Sequence, residues 1–333
     1  MKFLIVGLGS MGKRRIRNLK KLNETDIICF DVKKERCKEV KDEYNIETYS
    51  DITNALNEKP NAMIISTPPD LHMKYANLAV ENNIHFFIEA SVLQEGIQDL
   101  MVKLENKSIV GVPSSTMRFH PLVLKIMEIL NEGSLGKPLA FTHHTGQYLP
   151  DWHPWENYRE FYVAKKETGA CREIVAYDLV WLTYIFGEIS KVSGIRSKVS
   201  NLEIDIDDIY NILIECKNGI LGTLVVDVLA RVPIIEMKIL TEYGVIFADW
   251  INASLKYYSK DKKWVNVDIF SGKHISDFIR PEDMYEDEIE SFLKLIKKEI
   301  QQPYTLKNDL DILKILEAIE KSSDSGTHQI VKN

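Results

Sequence analysis

Cysteine is scarce in this chain, with four residues in 333, and no two of Cys29, Cys37, Cys171 and Cys216 stand at metal-ligand spacing. That spacing excludes a disulfide framework and a zinc module, and reduced thiols in a cytoplasmic protein are expected. No apolar run is long enough to cross a bilayer, so no membrane association is expected. The first strand begins directly after Met1, so a signal peptide is not expected. The net charge of −7 comes without any basic stripe, which argues against a nucleic-acid partner. No H-E-x-x-H and no nucleophile elbow occurs, so metal hydrolysis and acyl transfer are poor readings and no metal site is expected. Repeats and low-complexity segments are also missing. What remains is an ordinary composition, 45% apolar and 27% charged, in a chain long enough for two domains.

The most informative stretch is the beginning. Lys2 to Val6 is a short apolar run that reads as a buried strand. It leads into Gly7-Leu8-Gly9-Ser10-Met11-Gly12, a G-x-G-x-x-G, and then into a helical segment from Lys13 to Leu22. Gly7 allows a tight turn, Gly9 lets a pyrophosphate approach the backbone, and Gly12 lets the helix pack on the strand. The free N–H groups and positive end of that helix then face the phosphates, and Ser10 and Met11 in the loop are cofactor-binding candidates with the glycines. A second strand, Asp26 to Phe30, ends in Asp31, 19 residues beyond Gly12, where a carboxylate accepts from the adenosine ribose hydroxyls. A dinucleotide is the expected cofactor. Asp31 favours NAD, because it would repel a 2′-phosphate, while Lys33, Lys34 and Arg36 keep NADP open or form a solvated helix face.

Strand signals at Ala62–Ser66, His85–Ile88 and Ser108–Val112 alternate with helical stretches at 51–57, 71–82 and 96–104. This alternation predicts a doubly wound parallel sheet over residues 1–122. Residues 123–333 change in texture. A helix over Pro121–Leu130 leads to a strand at Pro138–His144, an irregular aromatic stretch at Gly146–Glu167 and a helix at Cys171–Phe186. From Lys191 to Asp268 short β runs follow, with turn signals at Lys217-Asn-Gly219 and Glu242-Tyr-Gly244, and two helices close the chain. An antiparallel sheet with helices on one side is expected here, α/β followed by α+β. Its other face would be open, and a homodimer or homotetramer through that face is expected.

The fourth strand ends in Ser66-Thr67-Pro68-Pro69-Asp70-Leu71-His72. Carboxyl ends of parallel strands are where such a sheet places its ligand, and Ser66, Thr67 and Pro68 suit a nicotinamide ribose. His72 is a further candidate, or a packing histidine. With the G-x-G-x-x-G, Asp31 and Arg118-Phe119-His120-Pro121, this run resembles the Gfo/Idh/MocA family, relatives of glucose–fructose oxidoreductase and inositol dehydrogenase. The resemblance spans nearly the whole chain. It implies a Rossmann domain, an open-faced sheet domain, a tightly held NAD(P), and hydride transfer at a hydroxyl or keto carbon of a sugar or cyclitol.

The sequence also departs from that pattern. Members usually carry Glu-Lys-Pro at the end of strand five, with the lysine helping to position or protonate the reacting oxygen. Here Glu89 matches and counts among the cofactor-binding candidates, but Ala90 and Ser91 follow it, which places the chain in a subgroup lacking that lysine. The family's Asp and His, four residues apart on a helix, align with Glu173 and Tyr177. Their spacing puts both on one helix face, and a tyrosine, with an unperturbed pKa of ~10, needs a nearby cation to act as an acid or base. Lys165, Lys166 and Arg172 are candidate suppliers, and Tyr177 as a packing residue stays open. His153 is the other expected acid or base. Trp152 and Trp155 suit either a carbohydrate surface or a subunit contact. Arg118 and Arg172 are expected to hold a substrate carboxylate or diphosphate, with Arg118 pairing a structural carboxylate as the alternative. Expected, then, is an NAD(P)-dependent oxidoreductase on a sugar, sugar acid or nucleotide sugar. A non-catalytic dinucleotide sensor or scaffold and an imine-type reductase are the alternatives.

Overall fold

Four consecutive buried residues, Phe3–Val6, form β1, and burial on both faces explains why the run reads as continuously apolar rather than alternating. In the computed structural model, which describes residues 1–152, 157–269 and 281–331, the chain divides into two units. The first is Met1–Thr116 with Asp283–Leu310, and the second is Met117–Glu282 with Asp311–Asn333.

The first unit holds β1, β2 (Ile27–Phe30), β3 (Glu47–Tyr49), β4 (Ala62–Ile65), β5 (His85–Ile88) and β6 (Gly111–Pro113), in the order β3-β2-β1-β4-β5-β6. Every pair is parallel. Helices α1 (Ser10–Lys21), α2 (Lys34–Tyr44), α3 (Ile52–Asn57), α4 (His72–Glu81) and α5 (Ile97–Leu104) connect them. The strand order reverses between β1 and β4, the switch point where such sheets bind dinucleotides. Two elements were not legible in advance. Only Cys37 and Val40 are buried in α2, and β3 has three residues, so neither carries a periodic apolar signal.

The second unit begins with α6 (Pro121–Asn131), started by Pro121 and capped by His120, whose Nδ1 accepts from Leu122 N–H at 3.1 Å. Then come β7 (Pro138–Gly146), α7 (Ala170–Phe186), β8 (Ile189–Ser197), β9 (Ile209–Cys216), β10 (Leu221–Asp227), β11 (Ile234–Thr241), β12 (Val245–Asp249), β13 (Ser254–Tyr258) and β14 (Trp264–Val267). The remaining elements are α8 (Asp283–Ile296), α9 (Leu306–Ser325) and β15 (Gln329–Ile330). The large sheet runs β14-β13-β12-β11-β7-β10-β9-β8-β15. It is mixed rather than wholly antiparallel, because β7 pairs with β10 in parallel, from Ala140 with Leu221 to Gly146 with Asp227. Turn chemistry revealed the β9–β10 and β11–β12 hairpins, the former turning at Gly219 with φ +89°. It carries no information on the distant partner of β7.

One face of this sheet packs on helices, with Phe141 stacked on Phe186 at 4.1 Å. The other carries exposed Leu213, Leu221 and Leu240. In the first unit, α8 contributes Ile289, Phe292, Leu293 and Leu295 to the same core as Phe3, Ile5, Ile16 and Phe87. Sequence order had placed this helix with the sheet domain, since an amphipathic stripe does not say which sheet it covers. No helix among the described residues is long and apolar enough to cross a membrane.

Asp309, buried in the first unit, tests this core. Burial pushes its carboxyl up to about 6, against the Ser91 and Tyr304 hydroxyls that pull it down, and Tyr304 OH donates to Oδ1 at 3.0 Å. A raised carboxyl pKa means the folded state holds the proton more tightly than the unfolded chain, so stability falls as pH rises from about 4 through about 6. Asp309→Asn should therefore raise the melting temperature at neutral pH, by at most about 3 kcal/mol of stability. The gain should vanish below about pH 4; thermal melts of both proteins across that range check it.

Candidate active site

Two of the three loop glycines are demanded by the chain itself. At Gly7 the backbone has φ +91°, and a Cβ would lie 2.5 Å from the Ser66 carbonyl oxygen. At Gly12 a Cβ would lie 1.9 Å from the Gly7 carbonyl oxygen. Gly9 differs. Its φ of −72° suits any residue, and a Cβ would meet only Arg36 Nη1, at 3.7 Å. Nothing in the protein requires glycine there, so the bare backbone is open to a ligand. Gly9 is also the N-cap of α1, and no side chain caps that terminus. The amides of Ser10, Met11 and Gly12 thus open the helix with its positive end toward the loop.

Asp31, at the end of β2, closes the loop from the other side. Its Oδ2 accepts from Leu8 N–H and its Oδ1 from Lys33 N–H, each at 2.8 Å. Arg36 Nη1 lies 3.7 Å from Oδ2. The carboxylate is thus fixed beside the glycine turn with a guanidinium next to it, and the arginine that kept NADP open in the sequence does reach this corner.

At the end of β4, Thr67 Oγ1 is buried without a partner among the described residues, as a group awaiting a ligand oxygen would be. His72 turns out to serve the loop. Its Nε2 lies 2.9 Å from the Thr67 carbonyl, an acceptor, so the ring must donate there. Burial lowers its pKa to about 4, so it is neutral with its proton on Nε2. Expected to meet the cofactor, His72 instead spends its only donor holding the Ser66–Pro68 turn.

Glu89, at the end of β5, anchors a cluster that the motifs did not announce. Arg15, with a fully buried side chain, grips it through Nε–Oε1 at 2.6 Å and Nη2–Oε2 at 2.8 Å. Ser66 Oγ donates to the same carboxylate at 3.1 Å. Arg15 Nη2 also reaches Glu288 Oε2 on α8 at 2.8 Å. Glu288 accepts further from Ser114 Oγ (2.9 Å) and Ser115 N–H (2.6 Å) on Oε1, and from Thr116 Oγ1 (2.8 Å) on Oε2. Burial pushes the Glu288 carboxyl up, opposed by Arg15, Thr116 and Ser115. Neighbouring Glu89 pushes it in the same direction as burial. Arg15 shares the buried face of α1 with Gly12, Ile16 and Leu19. A charge on that face was the one available signal.

In the second unit, Glu173 and Tyr177 lie one turn apart on α7, both half-buried. Tyr162 OH donates to Glu173 Oε1 at 3.0 Å, which adds a residue that motif reading missed. The next residue, Asp178, belongs to the core. It accepts from Thr145 Oγ1 at 2.7 Å and Trp181 Nε1 at 3.1 Å, with His143 Nε2 at 3.3 Å. Burial alone would raise its pKa, but His143 and these donors hold it below the ordinary value. Arg172 is a correction. Its Nε donates to Glu320 at 2.8 Å and its Nη1 to the Glu167 carbonyl at 2.9 Å, so the fork expected to hold a substrate anion is used within the protein. Arg118 stacks on the Tyr184 ring at 4.1 Å. Trp152 follows a short helical turn, and its indole Nε1 is buried without a partner among the described residues. His153 and Trp155 lie outside the described residues. Among those residues no His, Cys, Asp and Glu group could hold a metal.

Residues 1–111 match the oxidoreductase family with an NAD-binding Rossmann fold, and residues 123–247 match the GFO/IDH/MocA C-terminal domain. The chain belongs to the Gfo/Idh/MocA family. Its first unit is the family's NAD-binding Rossmann domain. Among solved structures it is similar to levoglucosan dehydrogenase in complex with NADH (18% identity, TM-score 0.86, covering 100% of this chain and 99% of that one). It is also similar to an oxidoreductase from Agrobacterium radiobacter in complex with NAD+, L-tartaric acid and magnesium (16%, 0.86, 99% and 98%). A third is UDP-N-acetylglucosamine 3-dehydrogenase from Acidithiobacillus ferrooxidans (18%, 0.79, 98% of each chain). At these identities the likeness is one of fold. No curated protein matches the sequence.

Gly9 and Gly12 of this Gfo/Idh/MocA protein should separate experimentally. Gly9→Ala should fold with an unchanged melting temperature yet bind NAD+ at least ~100-fold more weakly in calorimetry, because a methyl group would meet the pyrophosphate. Gly12→Ala, whose Cβ has no room, should lose stability as well. Equal NAD+ affinity in Gly9→Ala and the parent would contradict this assignment.

Proposed function

We propose that the protein is an NAD-dependent oxidoreductase acting at a hydroxyl or keto carbon of a sugar, sugar acid or nucleotide sugar. The carrying observation is that the Rossmann unit keeps a backbone opening at Gly9 that its own packing does not require, while α7 presents a carboxylate and a phenol at the family's Asp and His positions. Relatives of this fold include sugar and nucleotide-sugar dehydrogenases by name, which supports the substrate class. Gly7, Gly9, Ser10, Met11, Gly12 and Asp31 would hold the adenosine and pyrophosphate, and Ser66, Thr67 and Pro68 the nicotinamide ribose, with NADP admitted by Arg36.

The bound cofactor supplies or accepts the hydride. The chain's own task is the proton and the orientation. Tyr177 would exchange a proton with the substrate oxygen, with His153 as the other candidate. Glu173, fixed by the Tyr162 hydroxyl, would accept from a substrate hydroxyl. Trp152 would donate its indole N–H and lay its face on sugar C–H groups, and Arg118 would recognise an acidic or phosphorylated substituent. Arg172 is left out of this set. The open apolar sheet face would join subunits as a homodimer or homotetramer.

Ala90 favours one competing reading, a dinucleotide-binding protein without turnover, because alanine can neither move a proton nor stabilise an alkoxide. Nicotinamide absorbance with NAD+ and a panel of sugars, sugar acids and nucleotide sugars, and with NADH and the matching keto compounds, separates the two. Substrate-dependent change supports the enzyme; tight binding with a silent panel supports the sensor. Given a substrate, Tyr177→Phe should lower kcat by ~10²–10⁴ with NAD affinity unchanged. Unchanged rates in both Tyr177→Phe and His153→Ala would sink the proton assignment.

A further inference from the structure

The connection from β10 to β11 has to cross the end of β7, because β7 lies between those two strands in the sheet. Residues 228–233 therefore pass over the point where the chain leaves β7 and enters the aromatic stretch. Gly146 makes room for the crossing, since a Cβ there would lie 2.7 Å from Asp227 Oδ2 and 3.0 Å from Ala230 Cβ. The crossing is tied down from both sides. Asp227 Oδ1 accepts from Leu229 N–H at 2.9 Å and Ala230 N–H at 2.8 Å, and its Oδ2 lies 2.7 Å from His144 Nε2. Gln147 N–H donates to the Asp227 carbonyl at 3.2 Å, and Leu149 N–H to the Val228 carbonyl at 3.1 Å.

This crossing presents one cation that the protein does not itself use. Arg231, exposed, lays its guanidinium on the Tyr148 ring, 3.7 Å from the centroid. It makes no hydrogen bond or ion pair among the described residues. Asp227, the nearest carboxylate along the chain, is taken by the loop's own amides and by His144. Stacking fixes the plane of the guanidinium and leaves its N–H edges open. In that form arginine recognises carboxylates and phosphates through two parallel bonds. We propose that Arg231, held on Tyr148, is an anion-recognising part of the substrate site and takes a carboxylate or phosphoryl group carried by the sugar. The inference rests on the substrate reading above and narrows it to sugar acids and nucleotide sugars over neutral sugars.

Two contacts put Arg231 beside the groups assigned to the sugar, all within the second unit. Trp152 closes the short helical turn that Tyr148 begins, with its N–H on the Leu149 carbonyl at 3.1 Å. Its buried indole Nε1, without a partner among the described residues, is a second donor on the same turn. On the other side, Cys171 Sγ, in the first turn of α7, faces the Val226 carbonyl at 3.9 Å, two residues before Glu173. The crossing loop, the aromatic turn and the start of α7 thus meet at one end of the second sheet. Arg172, whose fork is spent on Glu320 and the Glu167 carbonyl, offers no such open edge. No motif marks Arg231 in the sequence, because the crossing that brings it to Tyr148 depends on the parallel pairing of β7 with β10.

The test measures binding of D-glucuronate, D-galacturonate, UDP-glucose and the neutral sugars D-glucose and D-galactose to the full chain by calorimetry. It is run with and without saturating NAD+ on wild type, Arg231→Gln and Arg231→Lys. Wild type should bind an anionic probe about tenfold or more tightly than either neutral sugar, a uronate if Arg231 takes a carboxylate and UDP-glucose if it takes a diphosphate. Arg231→Gln should weaken that probe about tenfold, with an unchanged melting temperature and NAD+ affinity within about twofold, as suits an exposed position. Arg231→Lys should recover only part of the loss, because an ammonium supplies charge without the fork. Neutral sugars bound as tightly as the anions, no anionic probe bound, or an anion held equally by wild type and Arg231→Gln overturns the proposal. A wild type that does not bind NAD+ overturns the dinucleotide reading separately, since the arms without NAD+ still decide the role of Arg231.

Discussion

A guanidinium with no access to water organises the dinucleotide-binding unit. Arg15 gathers the end of β5 through Glu89 and α8 through Glu288. Glu288 in turn receives the Ser114–Thr116 segment after β6, and Glu89 receives Ser66 after β4. Every strand end on one side of the switch point is thus tied to the helix that opens on the glycine loop. A buried charge of this kind is tolerable only while both its partners stay, and breaking such a set costs ~3–5 kcal/mol. The cluster therefore specifies one arrangement of the ligand-facing turns more than it adds net stability.

Around this anchor the functional surfaces follow from what is left open. Gly7 and Gly12 are consumed by the fold, whereas Gly9 is not, and that difference is what the proposed cofactor site rests on. Asp31 is oriented by two backbone amides, so its position is set by the chain itself. In the second unit, α7 carries Glu173, held by the Tyr162 hydroxyl, one turn before Tyr177. On the proposed function, alanine at position 90 leaves proton handling to other residues.

Much of the Rossmann unit was legible because its rules are local. A turn that needs φ > 0, a glycine under a helix and an acidic residue at a strand end each announce themselves within a few residues. The missing knowledge was long-range. Glu288 lies 273 positions from Arg15, and nothing in the amphipathic pattern of α8 says that it packs with β1 rather than with the second sheet. The parallel pairing of β7 with β10 was hidden for the same reason. Arg172 and His72 looked like ligand groups because sequence shows a donor's chemistry but not who already holds it. Glu320 and the Thr67 carbonyl do.

The most direct measurement is a crystal structure grown with NAD+. If the glycine loop is the cofactor site, the pyrophosphate will lie over Gly9 against the start of α1, with the adenosine ribose on Asp31 and the nicotinamide half toward Ser66, Thr67 and Glu89. A dinucleotide bound elsewhere, or saturating NAD+ that leaves the Gly9 opening empty, would contradict that assignment.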